Sequence, residues 1–203
     1  MPMRPRPGSA VETVTRIAAG DDRTDYDGVA VALHWVTVVL VLTQFGLAET
    51  WHFFTRPERR LMVMLHMSFG ILLGAAVLAR VVWRLIPGHQ VAPADSGLVQ
   101  LAAKAVHYLL YVLIFAQFVI GFVLRWTGGE AMIFFGLRIA PLIGRVPRPE
   151  HRFIGELHNW VGWSIIALAA AHALAGLFHH FVVRDAVLAR MIPALRARRA
   201  QTP

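Results

Sequence analysis

The sequence predicts an all-α integral membrane protein built as a four-helix bundle. Three observations predict it. First, four segments are free of Asp, Glu, Lys and Arg: residues 28–48, 61–79, 105–124 and 157–183, each 19–27 residues long. About 20 apolar residues at 1.5 Å per residue cross the roughly 30 Å of bilayer hydrocarbon. Second, the chain is 57% hydrophobic and only 16% charged, with a mean hydropathy of +0.55. A soluble domain carries about 25% charged residues. Third, none of the four segments keeps the polar stripe that a helix of a soluble bundle turns to water.

Each element follows in order. Residues 1–27 are polar, with four arginines against five acids, and Pro2, Pro5, Pro7 and Gly8 break the first stretch. This extension is expected to be flexible, with Thr15–Asp27 a candidate short surface helix. The first span reads as a retained helix rather than a cleaved secretory signal, because it is long and holds His34 and Gln44. Residues 49–60 form a short loop. Residues 85–104 form another, broken by Pro87, Gly88 and Pro93. Residues 125–156 read as the longest loop. Within it AMIFFGL at 131–137 is too short to span and is expected at the interface, while Pro141, Pro147 and Pro149 keep the rest irregular. The organisation is therefore an extension (1–27), a four-helix membrane domain (28–183) and a basic tail (184–203).

The net charge of +8 does not argue for nucleic acid once it is mapped onto the membrane. With the N-terminus inside, twelve Lys and Arg fall on the inner side and eight on the outer. That bias places both termini in the cytoplasm. The outer loops still hold eight arginines against five glutamates, a positive face. Cysteine is absent, which excludes disulfides, thiolate chemistry and cysteine-ligated clusters within this chain.

Histidine carries the functional signal. His34, His66, His107, His158 and His172 lie within the spans, at least one in each. Ionisable residues in hydrocarbon are costly and usually face a bundle interior or a cofactor. His34 and His107 sit near the inner ends of their spans; His66 and His158 open spans that start from the outer face. His172 follows His158 by 14 residues, which is a rise of about 21 Å with only about 40° of rotation. The outer layer is thus His66 and His158. The inner layer is His34 and His172, with His107 a further member. No Cys, Asp or Glu lies in any span to complete a zinc site. Haem needs one imidazole on each face of its iron, so two layers suit two b-type haems. Another metal, a proton or solute relay, and plain packing are the alternatives. Gly70 and Gly74 in the second span, and Ala167, Ala171 and Ala175 in the fourth, leave room for a flat cofactor or for close helix packing. His179 and His180 end the last span and mark the headgroup zone or meet a haem propionate. His52, His89 and His151 lie in expected loops with no ligand role. Trp35, Trp51, Trp83, Trp126 and Trp160 fit an aromatic belt. Arg80 and Arg84 are inner anchors or propionate partners.

LHW at 33–35, LHMSFGILL at 65–73, HYLLYVLIFAQFVIG at 107–121, LHNWVGW at 157–163 and HALAGLFHHF at 172–181 together resemble the bacterial cytochrome b561 family. The resemblance spans residues 28–193, and includes FFGL at 134–137 and LARMIP at 188–193. The best-characterised type of that family is the superoxide oxidase. The resemblance implies a multi-pass protein of the bacterial inner membrane with two haem b groups. It implies that His34 and His172 are the iron ligands of the inner haem and His66 and His158 those of the outer. His107 matches a family histidine beside the inner haem that is not an axial ligand. It implies electron transfer to ubiquinone, with superoxide oxidised to oxygen at the periplasmic face as the expected enzyme activity. One alternative is an electron-transfer subunit that links a hydrogenase- or dehydrogenase-type protein partner to the quinone pool. Another is a non-redox membrane scaffold or transporter. The long N-terminal extension departs from compact members of the family.

Overall fold

The computed structural model describes residues 25–87, 89, 91 and 96–199. The extension expected to be flexible and the candidate helix at Thr15–Asp27 therefore fall outside the described residues, apart from Asp25, Tyr26 and Asp27, which are not helical. Residues 200–203 of the tail also lie outside them.

Four helices are long and apolar enough to cross a membrane. They are α1 (Gly28–Thr50), α2 (Arg56–Leu85), α3 (Gly97–Thr127) and α4 (Arg148–Phe178). All backbone hydrogen bonds of a helix are internal, which is what a segment in lipid requires. Large apolar side chains stand outward along them, among them Val39, Leu42, Leu78, Val112 and Leu174. In water these would be a liability; against lipid they are the solvated surface.

The helices start where local chemistry lets them. The Asp27 side chain caps α1, accepting from the Ala30 N–H at 2.9 Å. At the head of α2 the Glu58 carboxylate accepts from the Thr55 backbone N–H at 2.9 Å, and Pro57 occupies the first turn. Pro149 opens α4 in the same way.

Three of the four helices run well past the charge-free spans. α2 begins at Arg56, α3 at Gly97 and α4 at Arg148. The loops expected at 85–104 and 125–156 are correspondingly shorter, and His151 lies in the first turns of α4 rather than in a loop. The reason is physical: an absence of charge marks the hydrocarbon crossing, while the hydrogen-bonded helix continues into the headgroup zone.

The AMIFFGL segment is a two-stranded antiparallel hairpin, β1 (Met132–Phe134) and β2 (Leu137–Ile139), with Met132 opposite Ile139. It is the one departure from an all-α chain among the described residues. Phe135 and Gly136 turn it with φ of 45° and 93°. The hairpin docks on α2 through Ser68, which is fully buried. Ser68 Oγ accepts the Phe135 N–H at 2.8 Å and donates to Met64 O at 2.8 Å.

After α4 the chain loosens into a π-helical turn (His179–Val183) that ends at Arg184 in the left-handed region, φ 62°. A 3-10 turn (Leu188–Arg190) and a short α5 (Pro193–Arg199) follow. The first part of the basic tail packs back on the bundle. Ala189 is buried, and Trp35 Nε1 of α1 donates to Met191 O at 2.9 Å.

α1 packs along α2, α3 along α4, and α2 along α3. Val77, Ile114 and Ile165, one each from α2, α3 and α4, form the central contact, with Val41 of α1 beside it. α4 has no comparable backbone packing against α1 or α2. A gap therefore runs along one side of α4, and the histidines stand in it.

Candidate functional site

α4 carries His158 and His172 on one continuous helix, about 21 Å apart by helical rise. Each faces a histidine across the gap. His158 meets His66 of α2 with ring centroids 6.3 Å apart and planes at 70°. His172 meets His34 of α1 at 6.4 Å and 75°. His107 of α3 reaches the same inner cluster, 4.9 Å from His172. All five sequence-selected histidines are thus brought into two groups.

The two facing pairs share one spacing. Two metal–nitrogen bonds of about 2 Å plus two half-rings place the centroids of a bis-imidazole metal centre roughly 6 Å apart. Both facing pairs meet this; His107 and His172 are too close for a metal between them on opposite faces. Among the described residues no three His, Cys, Asp or Glu side chains converge to hold a bare metal ion. The donor set therefore offers pairs of imidazoles, which is what haem iron takes.

Tautomers follow from the partners. His66 Nδ1 lies 3.2 Å from Gln44 O, and His107 Nδ1 lies 2.7 Å from Ala103 O. A carbonyl oxygen only accepts, so each Nδ1 carries the proton and each Nε2 keeps its lone pair. That leaves His66 Nε2 ready to bind a metal.

A cavity of about 830 Å³ surrounds the outer pair, within the range of cofactor sites. Its wall includes His66, His158, Gln44, Gln117, Phe118 and Trp163. Gly70 and Gly121 line it as well. A Cβ on Gly121 would stand 3.4 Å from the His158 ring. Gly74 serves packing instead. A Cβ there would stand 2.5 Å from Phe118, so this glycine admits the α3 side chain against α2. Ala167, Ala171 and Ala175 are exposed.

The end of the cavity where α3 stops and α4 begins is lined by Arg125, Arg145, Arg148 and Glu130. Arg125 forms an ion pair with Glu130, yet its Nε is buried without a hydrogen-bond partner among the described residues. Arg145 Nε donates to Gly128 O at 3.2 Å. Neither Arg145 nor Arg148 forms an ion pair among the described residues. His151, assigned no role from the sequence, lines this end and lies 3.2 Å from Thr127 Oγ1. The charge-free outer spans held no hint of it; its only signal was a place shortly before the last span.

At the inner end Arg80 lies over the Tyr111 ring at 5.4 Å, beside the inner histidines. Asp27 joins the ends of α1 and α2. Its carboxylate accepts from Trp83 Nε1 at 3.1 and 3.2 Å and contacts His89 Nδ1 at 3.0 Å. Partial burial pushes the Asp27 carboxyl up, but the Ala30 N–H, His89 and Trp83 outweigh it and hold it at about 2. His89 thus has a carboxylate partner where the ends of α1 and α2 meet. His179 pairs with Asp185, and the buried His180 Nδ1 has no partner among the described residues.

Comparison with known proteins points one way. The family model for prokaryotic cytochrome b561 matches residues 25–194. Cytochrome b561 homolog 2 of Escherichia coli is 32% identical over 177 residues, covering 82% of this chain and 90% of that protein. The probable superoxide oxidase CybB of Yersinia pestis is 28% identical over 172 residues, covering 84% and 97%. Cytochrome b561 homolog 1 of E. coli is 28% identical over 167 residues, covering 79% and 93%.

Proposed function

The chain belongs to the prokaryotic cytochrome b561 family, and from that premise we propose that it is a dihaem superoxide:ubiquinone oxidoreductase of the inner membrane, with both termini cytoplasmic. The observation that carries the proposal is the repeated 6.3 and 6.4 Å spacing of two facing histidine pairs. His66 and His158 would hold the outer haem, and His34 and His172 the inner one.

A haem held by either pair of imidazoles would supply one-electron transfer there. The net reaction balances as two superoxide ions, one quinone and two protons giving two dioxygen molecules and one quinol. Each superoxide loses one electron, and the quinone gains both with two protons.

The chain's own residues supply the rest. One rigid helix, α4, carries a ligand of each pair and so sets the separation of the two centres. Phe45 of α1 meets Trp163 of α4 edge to face at 4.9 Å, between His158 and His172 along α4, and closes part of the gap. Arg145 and Arg148 at the outer mouth attract an anion and raise its encounter rate. Arg125, with its unpartnered Nε, is placed to bind a carboxylate such as a propionate. The tail after α4 is tied to α1 one residue from His34, where Trp35 Nε1 donates to Met191 O. The site of the quinone lies beside one of the two pairs, with the inner one offering His107 as a proton-bearing neighbour.

Two measurements on purified protein test this reading. Pyridine haemochrome analysis after growth with ample haem should give two b haems per chain. Stopped-flow mixing with superoxide, with a dismutase control, should reduce the oxidised protein, and added ubiquinone should reoxidise it. One haem per chain would overturn the pairing in two layers. No reduction by superoxide, with rapid reduction by a copurifying protein donor, would make the chain an electron-transfer subunit instead.

A further inference from the structure

Beyond the ligands themselves, one arrangement occurs twice, and among the described residues only at the outer pair. Gln44 of α1 extends its side-chain amide to α2, where Nε2 donates to His66 O at 2.8 Å. Gln117 of α3 extends its amide to α4, where Nε2 donates to His158 O at 2.9 Å. The carbonyls can only accept, so the nitrogen end of each amide must face them. One turn beyond each histidine stands a glycine. A Cβ on Gly70 would lie 3.0 Å from Gln44 Nε2, and one on Gly162 would lie 3.2 Å from Gln117 Nε2. Both positions are tighter than an ordinary contact. The motif is therefore a glutamine on the preceding helix, a histidine carbonyl, and a glycine that makes room for the amide.

The remaining polar atoms are arranged alike too. Gln44 Oε1 and Gln117 Oε1 are both buried without a partner among the described residues, and both glutamines line the outer cavity. On the α1–α2 side the brace is double, because His66 Nδ1 donates back to Gln44 O. Among the described residues the inner histidines have no such amide brace: His107 bonds to Ala103 of its own helix. Buried Nδ1 atoms without a partner among the described residues occur in both layers, at His34 and at His158.

Each braced carbonyl already serves its own helix. The extra bond is thus not needed to form the helix, and a polar side chain in a lipid-facing span is costly. Its effect is to lock the height and rotation of one helix against its neighbour at the histidine. We propose that Gln44 and Gln117 are positioning residues of the outer centre, which act through the His66 and His158 backbones to set the orientation of the two imidazoles, and whose free carbonyl oxygens face that centre and no other. The proposal rests on the dihaem reading.

The test uses Gln44→Met and Gln117→Met, which keep the side-chain length and remove the donor, and Gly70→Ala and Gly162→Ala, which press on the amide. Full-length protein loaded with haem is read by low-temperature electron paramagnetic resonance of the low-spin ferric centres and by a potentiometric titration. His66→Ala identifies the outer signal by its loss. The expected result is a shift of the outer signal and of its midpoint potential in all four variants, with the inner signal unchanged and haem content at the wild-type level. Because the helix bonds remain, the Met variants are expected to fold; if one does not load haem, the paired Ala variant reads the same contact. Two wild-type signals with both unmoved in the Met and Ala variants would overturn the positioning role. An equal shift of inner and outer signals would also overturn it, as a general loosening of the bundle. A wild-type protein without two low-spin signals would overturn the dihaem reading itself, and the positioning role with it.

Discussion

His107 stands closer to His172 than His34 does, 4.9 Å against 6.4 Å between ring centroids. Proximity alone would make His107 the partner. The spacing argues the reverse, because two imidazoles on opposite faces of one metal need roughly 6 Å between centroids. His107 also commits its Nδ1 proton to Ala103 O on its own helix.

This gives the first prediction. His34→Ala or His172→Ala should abolish the inner low-spin signal and keep the outer one. His66→Ala or His158→Ala should do the opposite. His107→Ala should retain both centres and change only the inner one's potential or quinone turnover. Optical difference spectra with haem quantification check this; loss of a centre in His107→Ala with both kept in His34→Ala would reverse the inner pairing.

The second prediction concerns the outer mouth. Arg145→Gln combined with Arg148→Gln removes two cations that no carboxylate neutralises among the described residues. The bimolecular rate with superoxide should fall about threefold to tenfold at low salt, with haem content unchanged. Raising ionic strength to about 0.15 M should slow the wild type more than the double variant, because screening acts over about 8 Å. A salt-insensitive wild-type rate would remove the steering argument.

The third prediction concerns Asp27, which caps α1 and ties it to Trp83 and His89. Its folded carboxyl sits at about 2 against an ordinary 3.8. A depressed acid stabilises the fold fully above the unfolded value and loses that contribution as pH falls. Asp27→Asn keeps a capping oxygen but loses the charge that strengthens the bonds to Trp83 and His89, so stability in detergent should fall by about 1 kcal/mol at pH 6. The difference from wild type should shrink between about pH 4 and pH 2. Thermal melts of both proteins across that range are the check, and a gap that stays constant down to pH 2 would assign the effect to neutral hydrogen bonding.

The fourth prediction concerns the hairpin. Ser68→Ala leaves the Phe135 N–H without its acceptor at a part-buried hydrogen bond. The expected cost is about 1 kcal/mol, localised at the hairpin. Hydrogen exchange should show faster exchange in residues 132–139, with the inner haem signal unaltered. Protection equal to wild type would show that Met132 packing, rather than Ser68, holds the hairpin.

The class of the fold was legible in the chain alone. Four charge-free runs leave only a membrane-spanning helix as a home for their backbone, since hydrocarbon offers no other hydrogen-bond partner. The histidine layers were legible for the same kind of reason. Helical rise is constant, so the 14 residues between His158 and His172 state their separation before any neighbour is known. Helix ends were not legible, because hydropathy reports depth in lipid and not hydrogen bonding. Hence Arg148 and His151 belong to α4 although they looked like loop. The hairpin at 132–139 was hidden too, because a short apolar run has no period that distinguishes a strand from an interfacial segment. What only the tertiary structure decided is how the four helices meet. Facing pairs, the nearness of His107 to His172, the Arg145 and Arg148 mouth and the two glutamine braces all depend on rotation and height between helices. Those are set by packing of side chains distant in sequence, such as Phe118 against Gly74 and Gln44 against Gly70, and no single span records its neighbour's face.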